Sequence, residues 1–294
     1  MNKKCPWCNA ENDITTYLIL KDEFLTKEEY SIENCNECGL LFTWPRPEPN
    51  KIGRYYESEK YYSHSENKKG LIPRVYEAVK NINIKNKYKI ATNKLEKGNI
   101  LDIGCGAGDF LCLAKQRGWK INGVEPSEKA RGIAERRLGT EIHKPEELAT
   151  LPNKAFQCIT MWHVLEHVDD LRNEIQQLKR LLARNGRLVI ALPNYQSYDG
   201  QFYKEKWAAY DAPRHLNHFS INTIEKIMLS ENLKLVDAKP LKWDAFYISY
   251  LSEQYKNKKM PFLRGIWVGL KSNFKARKSK LYSSMIYIFE NNDV

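Results

Sequence analysis

A chain of 294 residues, 42% hydrophobic and 28% charged, has room for one catalytic-sized core plus a small appendage, and its composition excludes collagen-like and fully disordered classes. No run approaches the ~20 apolar residues of a membrane span, and Met1–Cys5 has no apolar core of a secretory signal, so a cytoplasmic location is expected. The net charge of +11 is uneven: residues 60–97 hold ten Lys/Arg against three acids, and residues 239–294 hold eleven against four. Such segments either attract anions (nucleotides, phosphorylated glycans, nucleic acid, a membrane surface) or simply serve solubility.

Residues 1–45 read as a zinc ribbon. Cys5, Cys8, Cys35 and Cys38 form two C-x-x-C pairs, each able to aim two thiolates at one tetrahedral ion. The 26 residues between Cys8 and Cys35 exceed the usual spacing, and a hairpin of Thr15–Leu20 and Glu29–Glu33 would absorb them. Four cysteine ligands leave no open position, so the ion would be structural. Residues 46–98 are a linker and helical segment: a stiff Pro-rich exit from Trp44 to Pro49, then a Tyr- and Lys-rich helix from about Tyr55 to Leu95. Tyr55, Tyr56, Tyr61 and Tyr62 suit either a cleft lining or packing of the ribbon on the core.

From Asn99 strands and helices alternate, the mark of a parallel α/β sheet. Strands are predicted at Ile100–Ile103, Lys120–Glu125, Phe156–Trp162, Arg187–Leu192, Leu233–Ala238 and Ser284–Phe289. Helices are predicted over Asp109–Arg117, after the Ser127 cap (stripe Ala130, Ile133, Ala134, Leu138), from Asp170 (Leu171, Ile175, Leu178 and Leu182 inward) and over Ser220–Leu229. Two stretches, 195–219 and 243–280, stand out as insertions facing a substrate.

The central constellation is Asp102-Ile-Gly104-Cys105-Gly106-Ala-Gly108-Asp109, between a strand and a helix, where glycines let backbone approach a cofactor. Glu125 ends the next strand, where a carboxylate accepts hydrogen bonds from both ribose hydroxyls of an adenosine. The G-x-G-x-G spacing lacks the third glycine position of the dinucleotide fingerprint, and Asp102 suits the amino-bearing, cationic methionine end of S-adenosylmethionine. This segment resembles the first motif of class I S-adenosylmethionine-dependent methyltransferases. Gly123–Ser127 resembles their second motif, Phe156–Asp169 their fourth-strand region and Leu182–Asn194 their fifth. The match covers roughly residues 99–240 and is nearest to bacterial polysaccharide and metabolite enzymes with N-terminal zinc ribbons.

The resemblance implies an α/β fold: a Rossmann-like, seven-stranded, mostly parallel sheet flanked by helices over residues 99–294, behind a small zinc ribbon. It implies a cofactor site at Asp102, Gly104, Cys105, Gly106, Gly108 and Glu125, joined by Pro126, Trp162 and His163. The adenine-contacting acid of the family has only Glu146 or Glu147 as its counterpart. His163-Val-Leu-Glu166-His167 also fits an inverted zinc-protease pattern, but His163 follows a buried strand rather than sitting on a helix. Ubiquinone-pathway and small-RNA methyltransferases carry a similar divalent-ion motif here. By that likeness His163, Glu166 and His167 would hold a second ion with His215 or His218; the alternative is that Glu166 and His167 cap the following segment.

His215 is the candidate catalytic base, since a neutral imidazole takes a hydroxyl proton during transfer; a core or capping histidine is the competing interpretation. His163 and His167 are further catalytic candidates. Trp207 and Tyr210 would wall the acceptor, and Asp244 and Tyr247 would face it. Phe262, Ile266, Leu270 and Phe274 recur at helical spacing beside Lys271, Lys275, Arg277 and Lys278, a stripe expected to pack on its own domain, with peripheral contact to anionic lipid as the alternative. The expected activity is methyl transfer to a small-molecule or glycan acceptor, at a hydroxyl oxygen. An RNA methyltransferase, a nucleotide-binding protein without turnover and a nicotinamide oxidoreductase are the competing classes.

Overall fold

The computed structural model describes residues 3–48, 54–55, 71–256 and 259–292. Strands β1 (Ile14–Lys21) and β2 (Glu29–Cys35) form the expected antiparallel hairpin, and β3 (Leu41–Trp44) joins β2. Helix α1 (Leu71–Thr92) follows, inside the stretch predicted as helical from Tyr55 to Leu95, of which residues 56–70 lie outside the described residues. Tyr55 instead lies in a short turn, buried, with its hydroxyl 2.9 Å from that of Tyr30, so it pins the N-terminal sheet; Tyr56, Tyr61 and Tyr62 lie outside the described residues.

The main sheet contains β4 (Asn99–Ile103), β5 (Lys120–Val124), β6 (Phe156–Trp162), β7 (Leu182–Pro193), β9 (Leu233–Pro240) and β10 (Ser284–Asn291), in the order β5-β4-β6-β7-β10-β9. β4 to β7 run parallel and β10 lies antiparallel between β7 and β9. The sheet has six strands where seven were expected. Beyond β5 the seventh position is a single bridge, Val124 to His143; the segment meets Pro145 two residues on, which has no N–H to extend a ladder.

Side chains alternate across this sheet. Leu101, Ile159, Ile190 and Tyr287 point to one layer, where helices α4 (Leu171–Leu181) and α6 (Ile221–Ser230) bury Ile175 and Ile227. Ile100, Cys158, Val189 and Ile286 point to the other, against α2 (Asp109–Gln116), α3 (Glu128–Leu138) and the end of α1. The predicted Ser127 cap is present, and Asp170 and Ser220, predicted as helix starts, likewise cap theirs, each accepting a backbone N–H. Leu182, expected inward on a helix, instead opens β7, because Asn291 donates to Ala183 O and Arg184 O and holds the chain extended there.

The insertions form a third packing unit. Helix α5 (Tyr198–Tyr203) and the turns after it carry Trp207 and Tyr210 to a two-residue strand β8 (Asn217–His218), which pairs antiparallel with β3. The N-terminal sheet is thus β1-β2-β3-β8. Helices α7 (Asp244–Tyr255) and α8 (Pro261–Ser279) form a hairpin over α5. Added Cβ atoms on Gly265 and Gly269 would come within 2.8 Å of Tyr250 backbone and Phe246, so these two glycines set the close approach of the helices. The apolar stripe predicted to pack inward does not: Gly265, Val268, Gly269, Ser272 and Ala276 are buried, while Phe262, Leu270 and Phe274 face outward. Small residues win the interface because the helices touch backbone to backbone.

One buried ionic cluster ties the β1–β2 loop to the inserted segment. Arg214, 1% exposed, donates to Asp22 Oδ1 at 2.9 Å and to Asp211 at 2.7 and 3.0 Å. Asp22 caps the β1–β2 loop through Leu25 and Thr26 N–H. Removing one partner leaves an uncompensated buried charge. Arg214→Leu is expected to lower stability in urea by about 3–5 kcal/mol, read from the unfolding midpoint at constant m-value.

Candidate active site

The glycine turn opens directly from β4. Gly104 N and Cys105 N both donate to Val124 O, at 2.8 and 3.1 Å, which bends the chain away from the strand. Gly104 has φ +68, and a Cβ there would strike Val164 at 2.4 Å, so only glycine fits. Gly106 has φ +55 and no atom within 4 Å of a hypothetical Cβ; its outer side is open for a ligand. Gly108 forms the N-cap of α2, whose first-turn N–H groups add partial positive charge.

Glu125 is buried at the end of β5. Its carboxylate accepts from Gly106 N at 2.8 Å and Ser127 N at 2.9 Å, leaving a lone pair on each oxygen for a further donor. Pro126, next to it, is exposed. Asp102 is buried and accepts from Thr160 Oγ1 at 2.6 Å. Burial pushes its carboxyl up to about 7, against the Thr160 bond and the Lys87 charge. Cys105 is also buried, which pushes its thiol up, away from nucleophilic use. Glu147 spends a carboxylate oxygen on Lys144 N at 2.6 Å, and Glu146 is exposed.

Trp162 leaves β6 with its ring 5.4 Å from Phe110 and with Lys87 Nζ 4.8 Å above it. Burial pulls Lys87 down while Asp244 and Asp102 hold its charge. Lys87 was not singled out in the sequence: it sits in a Lys-rich helix outside every motif, and only the packing of α1 brings it to the turn. His163, at φ +60, has Nε2 3.0 Å from Asp244 Oδ2 and Nδ1 3.3 Å from Glu166 Oε1. Burial lowers its pKa, but the two carboxylates outweigh this and hold it up to about 9. An imidazolium clamped in this way has no lone pair at neutral pH, so His163 orients Asp244 and Glu166 rather than accepting a proton. Asp244 thus reaches the site as expected, while Tyr247 is exposed.

Glu166, His167 and His215 bring one ligand atom each within 4.8 Å of one another; His163 is not in this group, since its two nitrogens face Glu166 and Asp244. Neither Glu166 oxygen has good hydrogen-bond geometry to any protein group. Burial disfavours its charge, but His163 and the neighbouring histidines hold the carboxyl down at about 2. His167 Nδ1 lies 3.0 Å from Arg214 O, and His215 Nδ1 lies 2.9 Å from Ala209 O. Each carbonyl requires N–H on that nitrogen, leaving Nε2 of both rings with its lone pair. His215 lines a small pocket with Glu166, Tyr195, Trp207 and Phe219. Tyr210 stands behind, its ring 5.2 Å from Trp207.

His218 is held differently. Thr43 Oγ1 donates to His215 O at 2.6 Å, so it accepts from His218 Nε2, 3.0 Å away. His218 is therefore a buried strut between β3 and the His215 segment. The N-terminal cysteines also converge: Cys5 and Cys38 Sγ are 3.5 Å apart, Cys8 and Cys35 3.4 Å, and all four lie within 4.8 Å. Four thiolates at ~2.3 Å from one zinc ion stand about 3.8 Å apart, so the residues present fit that ion. Arg172 of α4 stacks on Trp7 at 4.8 Å and donates to its carbonyl at 3.1 Å, docking this knuckle on the core.

A family model described as a methyltransferase domain matches residues 77–238. The demethylmenaquinone methyltransferase of Thermotoga maritima is 31% identical over 121 residues, 38% of this chain and 53% of that protein. The ubiquinone biosynthesis O-methyltransferase of Nitrosomonas europaea is 30% identical over 107 residues, 34% of this chain and 46% of that protein. The chain spans about half the length of these curated relatives. Among solved structures, the magnesium protoporphyrin IX methyltransferase of Synechocystis PCC 6803 with bound S-adenosylhomocysteine matches at TM-score 0.52 and 16% identity, over 82% of this chain and 98% of that one. That likeness is one of fold.

His218 supplies a pH test of the strut. Burial lowers its pKa to about 3 in the fold, below the ~6.5 of an unfolded histidine. With the folded value depressed, the contribution is intact above pH 6.5 and is lost as pH falls, because only the unfolded chain takes up the proton. The stability gap between wild type and His218→Gln should therefore narrow between pH 6.5 and 4 by up to ~1.4 kcal/mol per pH unit, measured by urea unfolding across that range.

Proposed function

The chain belongs to the methyltransferase-domain family, and from that premise we propose that it moves the methyl group of S-adenosylmethionine to a hydroxyl oxygen of a small-molecule or glycan acceptor. The observation that carries the cofactor assignment is Glu125, a buried carboxylate held by Gly106 N and Ser127 N at the lip of the glycine turn. It is positioned for ribose hydroxyls, with Gly104, Cys105 and Gly108 shaping the turn and Pro126 flanking it. Asp102 takes the amine of the methionine end and Lys87 its carboxylate, with Trp162 and His163 closing that side.

The cofactor supplies a methyl group activated by an adjacent sulfonium, so little covalent chemistry falls to the protein. The chain's residues must hold an acceptor oxygen in line, exclude water and remove one proton. Nε2 of His215 is the proton acceptor, because Ala209 O fixes the tautomer and Trp207 keeps the pocket apolar. Both named curated relatives act, by their names, on quinone precursors, which supports a small organic acceptor.

Calorimetric titration with S-adenosylhomocysteine, with NAD as control, tests the cofactor. Micromolar binding is expected, and Glu125→Ala should weaken it by roughly ten- to a hundredfold. A folded protein that ignores S-adenosylhomocysteine would sink the reading.

The four cysteines are proposed to hold a structural zinc ion, fastening the sheet that carries β3. A second divalent ion at Glu166, His167 and His215 is a further reading, favoured by the buried Glu166 carboxylate without good hydrogen-bond geometry; in that case His215 would be a ligand rather than the base. Elemental analysis distinguishes them. One zinc per chain, lost in Cys38→Ser, is the expected result, and a further metal equivalent lost in Glu166→Gln would move His215 from base to ligand.

A further inference from the structure

Helix α8 divides its circumference three ways. Gly265, Val268, Gly269, Ser272 and Ala276 are buried against the hairpin and α5. Phe262, Leu263, Trp267, Leu270 and Phe274 lie outward, exposed by 63, 55, 55, 56 and 70%. At about 100° per residue these five occupy an arc of roughly 140°. The remaining sector, beside Trp267, carries Arg264, Lys271, Lys275 and Lys278, while Arg277 falls within the apolar arc near its C-terminal end, and Pro261–Ser279 contains no acid. The hairpin's two acids both turn inward: Asp244 to His163, and Glu253 to Tyr203 and Arg264. Five large apolar side chains on one exposed face exceed the scattered exposure usual for a soluble surface.

We propose that this face of α8 docks on an anionic lipid surface, its aromatic side chains entering the interfacial layer and Lys271, Lys275 and Lys278 resting on lipid phosphates. Charge favours this occupant. A second copy of the chain meeting the face about a two-fold axis would set the same lysine row against itself, in a protein of net charge +11, whereas anionic headgroups neutralise it. Placement of the aromatics favours it as well. Trp267 stands at the border of the apolar and basic sectors, with Lys271 Nζ 4.7 Å from its ring; an aromatic ring at such a border suits the headgroup level. No helix among the described residues is long and apolar enough to cross a membrane, so the contact is a surface one.

The docked face is joined to the reaction site. Ser272 donates to Asp199 on α5 at 2.6 Å, and Asp199 accepts from Trp207 Nε1 at 2.8 Å. Asp244, at the start of α7, contacts His163. Docking would therefore bear on α5 and on Trp207, which lines the pocket.

Flotation of the purified full chain with vesicles of phosphatidylcholine mixed with phosphatidylglycerol, and of phosphatidylcholine alone, tests the proposal. Binding to the anionic vesicles only, weakened by added salt, is expected. Lys275→Glu/Lys278→Glu and Phe262→Ser/Phe274→Ser should each reduce it by about tenfold or more, with the circular dichroism spectrum and thermal midpoint unchanged as evidence of folding. Equal flotation with both vesicle types, or none with either, overturns the proposal. So does a concentration-dependent dimer in sedimentation that Phe262→Ser/Phe274→Ser dissociates while vesicles are ignored, which would assign the face to a second copy.

Discussion

Arg214 carries a full positive charge into a place with almost no water, and the geometry of the candidate site depends on how that charge is met. Asp22 comes from the β1–β2 loop, Asp211 from the turn three residues earlier, and the Arg214 carbonyl faces His167 Nδ1. One residue thus joins the N-terminal sheet to the inserted segment through its side chain and orients a site histidine through its backbone carbonyl. Burying three ionised groups contributes little net stability compared with an apolar cluster. What the arrangement does impose is register: with Arg214 seated, Leu216 N reaches Glu166 O at 2.7 Å and Thr43 N reaches Leu216 O at 3.0 Å, and His215 is left pointing at Glu166.

This explains why a cysteine-knuckled sheet precedes a nucleotide-type fold in the same chain. The N-terminal sheet is not tethered by the Pro-rich exit alone. β3 lends its edge to β8, and Thr43 holds both His215 and His218. A metal ion held by the knuckles would act, through β3, on the segment carrying the candidate base. Such an ion would need no chemistry of its own to affect turnover; it would need only to keep an edge strand in place.

The glycine turn, its flanking strands, the capped helices and the two cysteine pairs were legible in the sequence because each depends on neighbours in the chain: a left-handed turn needs glycine at Gly104, a cap needs Ser127 or Asp170, a knuckle needs Cys5 and Cys8. The seventh strand, implied by the resemblance alone, is reduced to the single bridge at His143, two residues before Pro145, which has no N–H to extend a ladder. Leu182 was misread because a long-range bond from Asn291 decides its conformation. Lys87 and the exclusion of His163 from the Glu166 group were not legible at all, since both arise where α1, α7 and β6 meet, elements more than sixty residues apart in the chain. Periodicity marked α8 as amphipathic but assigned its apolar face inward; Gly265 and Gly269 reverse that, because a helix interface close enough for backbone contact selects small residues and turns the large ones out.

The same reversal bears on what the site can accept. His163 is held charged by Asp244 and Glu166, so the start of α7 is fastened to the cofactor side of the pocket by an ion pair, while the far side of the same hairpin is apolar and basic. A side chain that fixes the hairpin to the pocket also fixes the direction in which its outer face looks. Selectivity for an acceptor would then come from two places at once: the pocket beside Trp207, which reads the group to be methylated, and the outer face of α8, which decides where in the cell an acceptor is met. Substitutions on α8 that leave the pocket untouched would alter the effective concentration of an amphipathic acceptor and so its apparent KM, whereas changes at His215 would alter the chemical step and so kcat.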